Sequence, residues 1–321
     1  MHYDEVRPVA AGIDHQLSNL RCLLAEAHAL GRLAVLPPLR LESKHNFGIA
    51  RDWSWDTYFD LDASRLVGND GRTHPLPFVR EIPAGGLKTR TVPPRGRLSA
   101  KEGAELVVRQ VRHEVFSKEV PLTNTPALQL RPSATVLHRA GPVIEELRNR
   151  WPTGFAAVHI RRGDRLWGPM RWLTSPGNIR RRLGKLGIHE GDDVFFLSDE
   201  RDAEYWSGFA AHYEMARYTD FPELVAIVAP SSSSTPPDNY LLYEIEKEIV
   251  RHATAVLETF PSPRGERPQK TLVPIAVWVV ARNVRRGWRS TRRFLRRCVR
   301  KSVKLAAPAT RRLRPARSLD R

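Results

Sequence analysis

The sequence predicts an α/β fold in which parallel strands are covered by helices on both faces. Three observations carry that expectation. Short apolar runs alternate with helical periodicities from residue 142 to residue 260. One of those runs, DVFFLSD (193–199), has an unbroken apolar centre, as a strand buried on both faces requires. The chain also opens with a strand, a turn, a helix and a second strand in that order.

The elements follow from local signals. EVRPVAAG (5–12) reads as a short strand ending in a glycine turn at Gly12. In QLSNLRCLLAEAHALGR, Leu17, Leu20, Leu24, Ala27 and Leu30 form a helical stripe, which Gly31 ends. LAVLPPL is a buried strand stopped by two prolines. Residues 40–135 read as loops and small helices more than as regular layers. PVIEELRNRW (142–151) reads as a helix with proline in its first turn. FAAVHI, NIRRRLGKLG, DVFFLSD, RDAEYWSGFAAHY and MARYTD then alternate strand and helix. DNYLLYEIEKEIVRHA is a helix capped by Asp238, with Leu241, Ile245, Ile249 and Ala253 inward, and TAVLETF is the last strand.

Net charge is +17, but it is unevenly spread. Residues 261–321 hold 19 of the 52 Lys and Arg and only two acids, Glu266 and Asp320, so residues 1–260 balance at 33 of each sign. Charge arguments therefore apply to the tail alone. Its residues Val277, Ala281, Val284, Trp288, Leu295, Cys298 and Leu305 recur at amphipathic helical spacing among arginines and lysines. Such a helix lies in the interface of an anionic membrane, here through residues 272–305. Two other uses compete: packing on the body, and binding nucleic acid through phosphates.

Cys22 and Cys298 stand in unrelated contexts and build neither a disulfide framework nor a metal cluster, which suits a reducing cytoplasm. MHYDEVRPVAAG lacks the features of a secretory leader, and the longest apolar run, LVPIAVWVVA, is half the length of a membrane span. The expected location is cytoplasmic, peripheral at the inner membrane face if the tail docks there.

In a parallel sheet, ligands bind beyond the carboxyl ends of the strands. HIRRGD (159–164), SDER (198–201) and ETFPS (258–262) all fall at such ends. Arg161 offers a guanidinium fork matched to a phosphate or diphosphate, and Gly163 leaves room for close backbone approach. The plain alternative is a solvated turn.

HIRRGD has the form His-x-Arg-x-Gly-Asp and resembles the central motif of the GDP-fucose-dependent fucosyltransferases. This superfamily includes protein O-fucosyltransferases and α1,6-fucosyltransferases. AAGIDHQLSNLRCLLAEAHALGRLAVLPPL, DVFFLSDE and EIEKEIVRHATAVLETFPS resemble three further family segments, in the same order. The resemblance implies a GT-B architecture of two Rossmann-like domains facing a cleft. Residues 1–140 would be the acceptor-side domain, 141–263 the nucleotide-sugar domain and 264–321 a basic helical tail. It also implies inverting transfer from GDP-fucose to a glycan, lipid-linked or protein hydroxyl, without a metal or other cofactor.

By position, the resemblance makes Arg161 the arginine that binds the donor diphosphate. His159, Gly163 and Asp164 lie along the nucleotide, with Asp199 on the second strand. Glu246 stands where relatives read guanine with Asp, and Ser262 where a Ser touches phosphate. Gly12, Asp14, His15 and Gln16 form the facing loop. His15 or Asp14 is the candidate base for the acceptor hydroxyl, with His45 a weaker one. His15 replaces an Asn of several relatives, and Pro261 and Pro263 flank Ser262. The competing reading is a catalytically inactive protein that binds nucleotide, membrane or nucleic acid.

WSWDTYFDLD (53–62) has aromatics at Trp55, Tyr58 and Phe59 with near-helical spacing, which favours core over sugar stacking. WGPMRWL (167–173) follows the arginine motif and is placed to wall the donor pocket.

Overall fold

A computed structural model describes residues 1–5, 12–49, 53–82, 88–93, 98, 105–111, 126–163, 169–229 and 236–259. The chain divides into two compact units, Met1–Leu272 and Val273–Arg321. The second unit, which holds most of the amphipathic tail, lies outside the described residues.

The first half runs β1 (His2–Glu5), α1 (Ile13–Ala29), β2 (Ala34–Val35), α2 (Trp55–Tyr58), β3 (Phe59–Val67), β4 (Thr73–Pro75), β5 (Phe78–Val79), β6 (Lys88–Val92), β7 (Glu105–Val111) and β8 (Ala127–Pro132). The second runs α3 (Ala134–Arg150), β9 (Ala156–Ile160), α4 (Pro169–Leu173), α5 (Pro176–Lys185), β10 (Asp193–Ser198), α6 (Ala203–Ala210), β11 (Glu214–Arg217), α7 (Pro222–Val228), α8 (Asn239–Arg251) and β12 (Ala255–Glu258).

The second half meets the expectation. Its sheet has the order β11–β10–β9–β12, and every pairing is parallel. The alternation of side chains along β10 divides the core. Phe195 and Leu197 join Val136, Leu147, Leu224 and Ile245 from α3, α7 and α8 on one face. Val194 and Phe196 join Ile179, Leu183, Trp206 and Phe209 from α5 and α6 on the other. Both phenylalanines are essentially fully buried, each contributing about 1.5–3 kcal/mol relative to exposure. This double burial is why DVFFLSD reads as a continuous apolar run.

In the first half, β6, β7 and β1 form one parallel sheet and β2 and β5 another. The Val35 amide donates to the Met1 carbonyl at 2.6 Å, which stitches β2 alongside β1. Gly31 turns the chain between α1 and β2 with φ +60°, a conformation that favours glycine. In this layer Arg109 of β7 is completely buried and forks onto Glu26 of α1, with Nε 2.9 Å from Oε2 and Nη2 on Oε1. The pair offsets its own desolvation through these bonds and a third to the Pro93 carbonyl at 3.1 Å.

Two expectations are corrected here. Residues 40–135 hold a regular antiparallel sheet, β4–β3–β8, besides the parallel strands. In β3, FDLDASRLV, Phe59, Leu61, Ser64 and Leu66 face inward and the polar residues between them mostly face out, so a half-buried strand looks like a polar loop. The second correction concerns Pro142, which lies in the middle of α3. That helix begins after Ser133, whose Oγ accepts from the Val136 amide at 3.2 Å. The buried stripe of Val136, Ala140, Val143, Ile144 and Leu147 compensates the backbone bond that a proline removes.

Candidate functional site

Parallel pairing brings three strand ends level. Leu197 and Glu258 lie abreast of His159, on either side of it. Beyond that line β9 delivers Arg161, Arg162 and Gly163, β10 delivers Asp199, and β12 delivers Thr259.

The turn after β9 is held by side chains from both neighbouring strands. Asp199 accepts from the Arg162 amide at 2.7 Å through Oδ1 and from the Gly163 amide at 3.0 Å through Oδ2. A Cβ on Gly163 would lie 2.8 Å from Asp199 Oδ2, so close approach is what selects glycine there. From the other side, the Thr259 amide and hydroxyl both donate to the His159 carbonyl, at 3.1 and 2.8 Å. Thr259 Oγ1 also accepts from the Arg161 amide at 3.4 Å. The backbone that carries Arg161 is therefore fixed before any ligand arrives.

His159 Nδ1 lies 2.8 Å from Glu258 Oε2, and its ring lies 5.8 Å from that of Tyr243 on α8. The Tyr243 hydroxyl donates to Asp14 Oδ2 at 3.3 Å, which ties the first turn of α1 to the strand ends. Burial pushes the Tyr243 phenol well above its ordinary pKa; Asp14, Glu244 and Glu258 add to the shift and Arg161 opposes it. The phenol thus stays protonated and acts as a donor. Arg161, half-buried, is felt electrostatically by both Tyr240 and Tyr243.

Glu246, one helical turn beyond Tyr243, is 4% exposed, and its Oε1 is buried without a hydrogen-bond partner. Burial raises its pKa well above 4.5, and the Asp199 charge raises it further. A buried carboxyl oxygen with no partner is costly, and a ligand's N–H or O–H group would relieve that cost.

The remaining candidates fall as follows. Gly12 caps α1, its carbonyl accepting from the His15 and Gln16 amides at 3.0 and 3.3 Å. The Gln16 side chain is buried and donates to the Arg40 carbonyl at 2.9 Å, which fixes the chain after β2. His15 is half-buried on the first turn of the same helix. His45 lies 3.3 Å from Glu42. Asp164 and Ser262 lie outside the described residues. Trp55, Tyr58 and Phe59 are core, each no more than 4% exposed. Among the described residues, no group of three or more His, Cys, Asp or Glu is placed to hold a metal ion.

Sequence reasoning missed Tyr243, and it placed ETFPS at the strand ends without singling out Glu258 or Thr259. Tyr243 was within reach, since it sits one turn before Glu246 on the same helix. It also missed how the segment around His45 is used. The Asn239 amide donates to Asn46 Oδ1 at 2.7 Å, and the Tyr240 hydroxyl donates to the Glu42 carbonyl at 2.9 Å. The segment thus docks on the first turn of α8.

No family model and no curated protein matches the chain. Among solved structures, a crystal structure of POFUT1 in complex with GDP-fucose matches 80% of this chain and 96% of that one. The TM-score is 0.39 and the identity 14%.

Proposed function

We propose that the chain is an inverting glycosyltransferase that takes its sugar from a nucleotide donor, GDP-fucose by the resemblance of HIRRGD. The observation that carries this is the pairing of Arg161, its amide bonded to Thr259, with the buried Glu246, whose Oε1 has no hydrogen-bond partner, beside one set of strand ends. The first offers charge to a diphosphate and the second offers hydrogen bonding to a base. Residues 1–140 and 141–263 serve as the acceptor-side and donor-side domains.

In this reading, negative charge growing on the departing diphosphate meets a guanidinium whose backbone is already anchored by Thr259 and Asp199. That is electrostatic preorganisation in the place a divalent cation would otherwise fill. Asp14, oriented by the Tyr243 hydroxyl, takes the acceptor proton, with His15 the other candidate. Glu246 reads the base. The acceptor is a glycan, lipid-linked or protein hydroxyl.

The test is a thermal-shift screen of sugar nucleotides followed by donor turnover in Arg161→Ala. GDP-fucose at about a hundred times its dissociation constant should add about 2.7 kcal/mol, a rise of roughly 5–10 °C. Arg161→Ala should lower kcat by about 10²–10³ or more. Stabilisation by UDP and not GDP would overturn the base assignment, and unchanged turnover in the variant would overturn the mechanism.

A further inference from the structure

A second site adjoins the strand-end turn. Arg162, Arg171, Trp172, Ser175, Pro176 and Tyr205 line a groove of about 410 Å³ between α4 and α6, with the start of α5 in its wall. Its base is rigid. The Arg162 guanidinium lies 4.0 Å over the Tyr205 ring, donates to Glu200 at 2.5 Å and to the Thr174 carbonyl at 3.2 Å, and the Tyr205 hydroxyl donates to that same carbonyl at 2.7 Å.

The rim is different. Trp172 is 59% exposed, the most exposed large apolar side chain among the described residues. Arg181 lies over one side of it, its Cζ 5.7 Å from the ring centroid, and is held by the amide oxygen of Asn178 and by no acid among the described residues. Arg171 is exposed and pairs with no acid among the described residues. At the base, the acids felt by Tyr205 are Glu200 and Asp199, and both are already engaged, by Arg162 and by the backbone amides of Arg162 and Gly163. The rim therefore presents an exposed indole with the Arg181 guanidinium over its ring and Arg171 beside it on α4, neither arginine paired with an acid among the described residues.

We propose that this groove binds an anionic saccharide. The apolar C–H face of a pyranose ring lies on Trp172, and a carboxylate or sulfate on the sugar pairs with Arg171 and Arg181. Guanidinium forks match such oxyanions, and an exposed indole offers the flat apolar surface on which a pyranose C–H face packs. Arg162 faces Tyr205 of α6, whereas Arg161 is felt by Tyr240 and Tyr243 of α8, so the binding proposed here is independent of the transferase reading.

The experiment is calorimetric titration of the full chain, without nucleotide, using two tetrasaccharides. One alternates glucuronic acid with N-acetylglucosamine and the other is N-acetylglucosamine alone. The charged sugar should bind at least about tenfold more tightly than the neutral one. Trp172→Ala should lose about tenfold and Arg171→Gln about threefold, with melting temperatures unchanged because both side chains are exposed. Arg161→Ala should bind the charged sugar normally. Since the basic tail is identical in every variant but attracts only the charged sugar, the loss in Trp172→Ala, not the difference between the two sugars, isolates the groove.

Equal affinity for the two sugars, no binding of the charged one, or binding indifferent to Trp172→Ala would each overturn the proposal. So would tighter binding of a short oligothymidylate that is lost in Trp172→Ala, which would make the groove a nucleic-acid site. Failure of GDP-fucose to bind in a parallel titration would remove the transferase reading and leave the saccharide site standing.

Discussion

Asp199 spends both carboxylate oxygens on consecutive backbone amides, and Gly163 is the residue that lets it come so close. Gly163→Ala should push the carboxylate off at least one amide, costing about 1–2 kcal/mol and weakening nucleotide binding; urea unfolding and a GDP titration read the two effects. Glu246 has the opposite character, a group whose folded surroundings penalise its charged form. Its folded pKa is raised, so the native state holds the proton more tightly than the unfolded chain above pH 4.5. Stability should then fall as pH rises from that value through the raised one. Glu246→Gln removes this slope. The variant should melt close to wild type near pH 5 and increasingly above it toward pH 8, while its affinity for GDP drops about 10–100-fold. Parallel melting curves for the two proteins across that range would refute the assignment.

At the scale of elements, α8 joins the two halves of the compact unit. Its cap, Asp238, is 3% exposed and accepts from the Tyr240 and Leu241 amides at 3.1 and 2.9 Å and from the Tyr58 hydroxyl at 3.1 Å. Asp238→Ala loses the cap and also removes a hydrogen-bond acceptor of the buried Tyr58 phenol. The expected cost is about 2–4 kcal/mol, read as a lower urea midpoint with an unchanged slope. The same helix carries Tyr243 and Glu246 into the site, so its loosening should weaken nucleotide binding in the same variant. Its buried face is wider than the stripe of Leu241, Ile245, Ile249 and Ala253 that periodicity suggests. Of that stripe Ile245 and Ile249 are buried and Leu241 and Ala253 half-buried, while Tyr240, Leu242, Glu244 and Glu246 are buried too, because α8 meets the second-half sheet on one side and the 42–49 segment on the other.

For the whole molecule, the separation of a neutral body from a tail carrying the full net charge is the dominant electrostatic fact. Among the described residues no helix is long and apolar enough to cross a membrane. If the tail lies on an anionic surface, the full chain should float with phosphatidylserine-containing vesicles and a 1–262 truncation should not. The difference should shrink as salt screens the attraction. Equal flotation would assign the tail another role.

The sequence by itself determined the parallel sheet of the second half, its two covered faces and the position of HIRRGD at a strand end. Each of these is written in local periodicity and in the length of apolar runs. It did not determine the antiparallel sheet of β3, β4 and β8, because a strand that is half solvated carries alternating polar residues that resemble a loop. Nor did it reveal what surrounds Arg161. Tyr243 lies 229 residues from Asp14, and Glu258 lies 99 residues from His159. Such pairs leave no local trace, since only the packing of α8 and the register of β12 against β9 brings them within hydrogen-bonding distance. The tertiary structure alone decided that Glu246 is buried with its Oε1 unpartnered, because burial depends on every layer that closes over it.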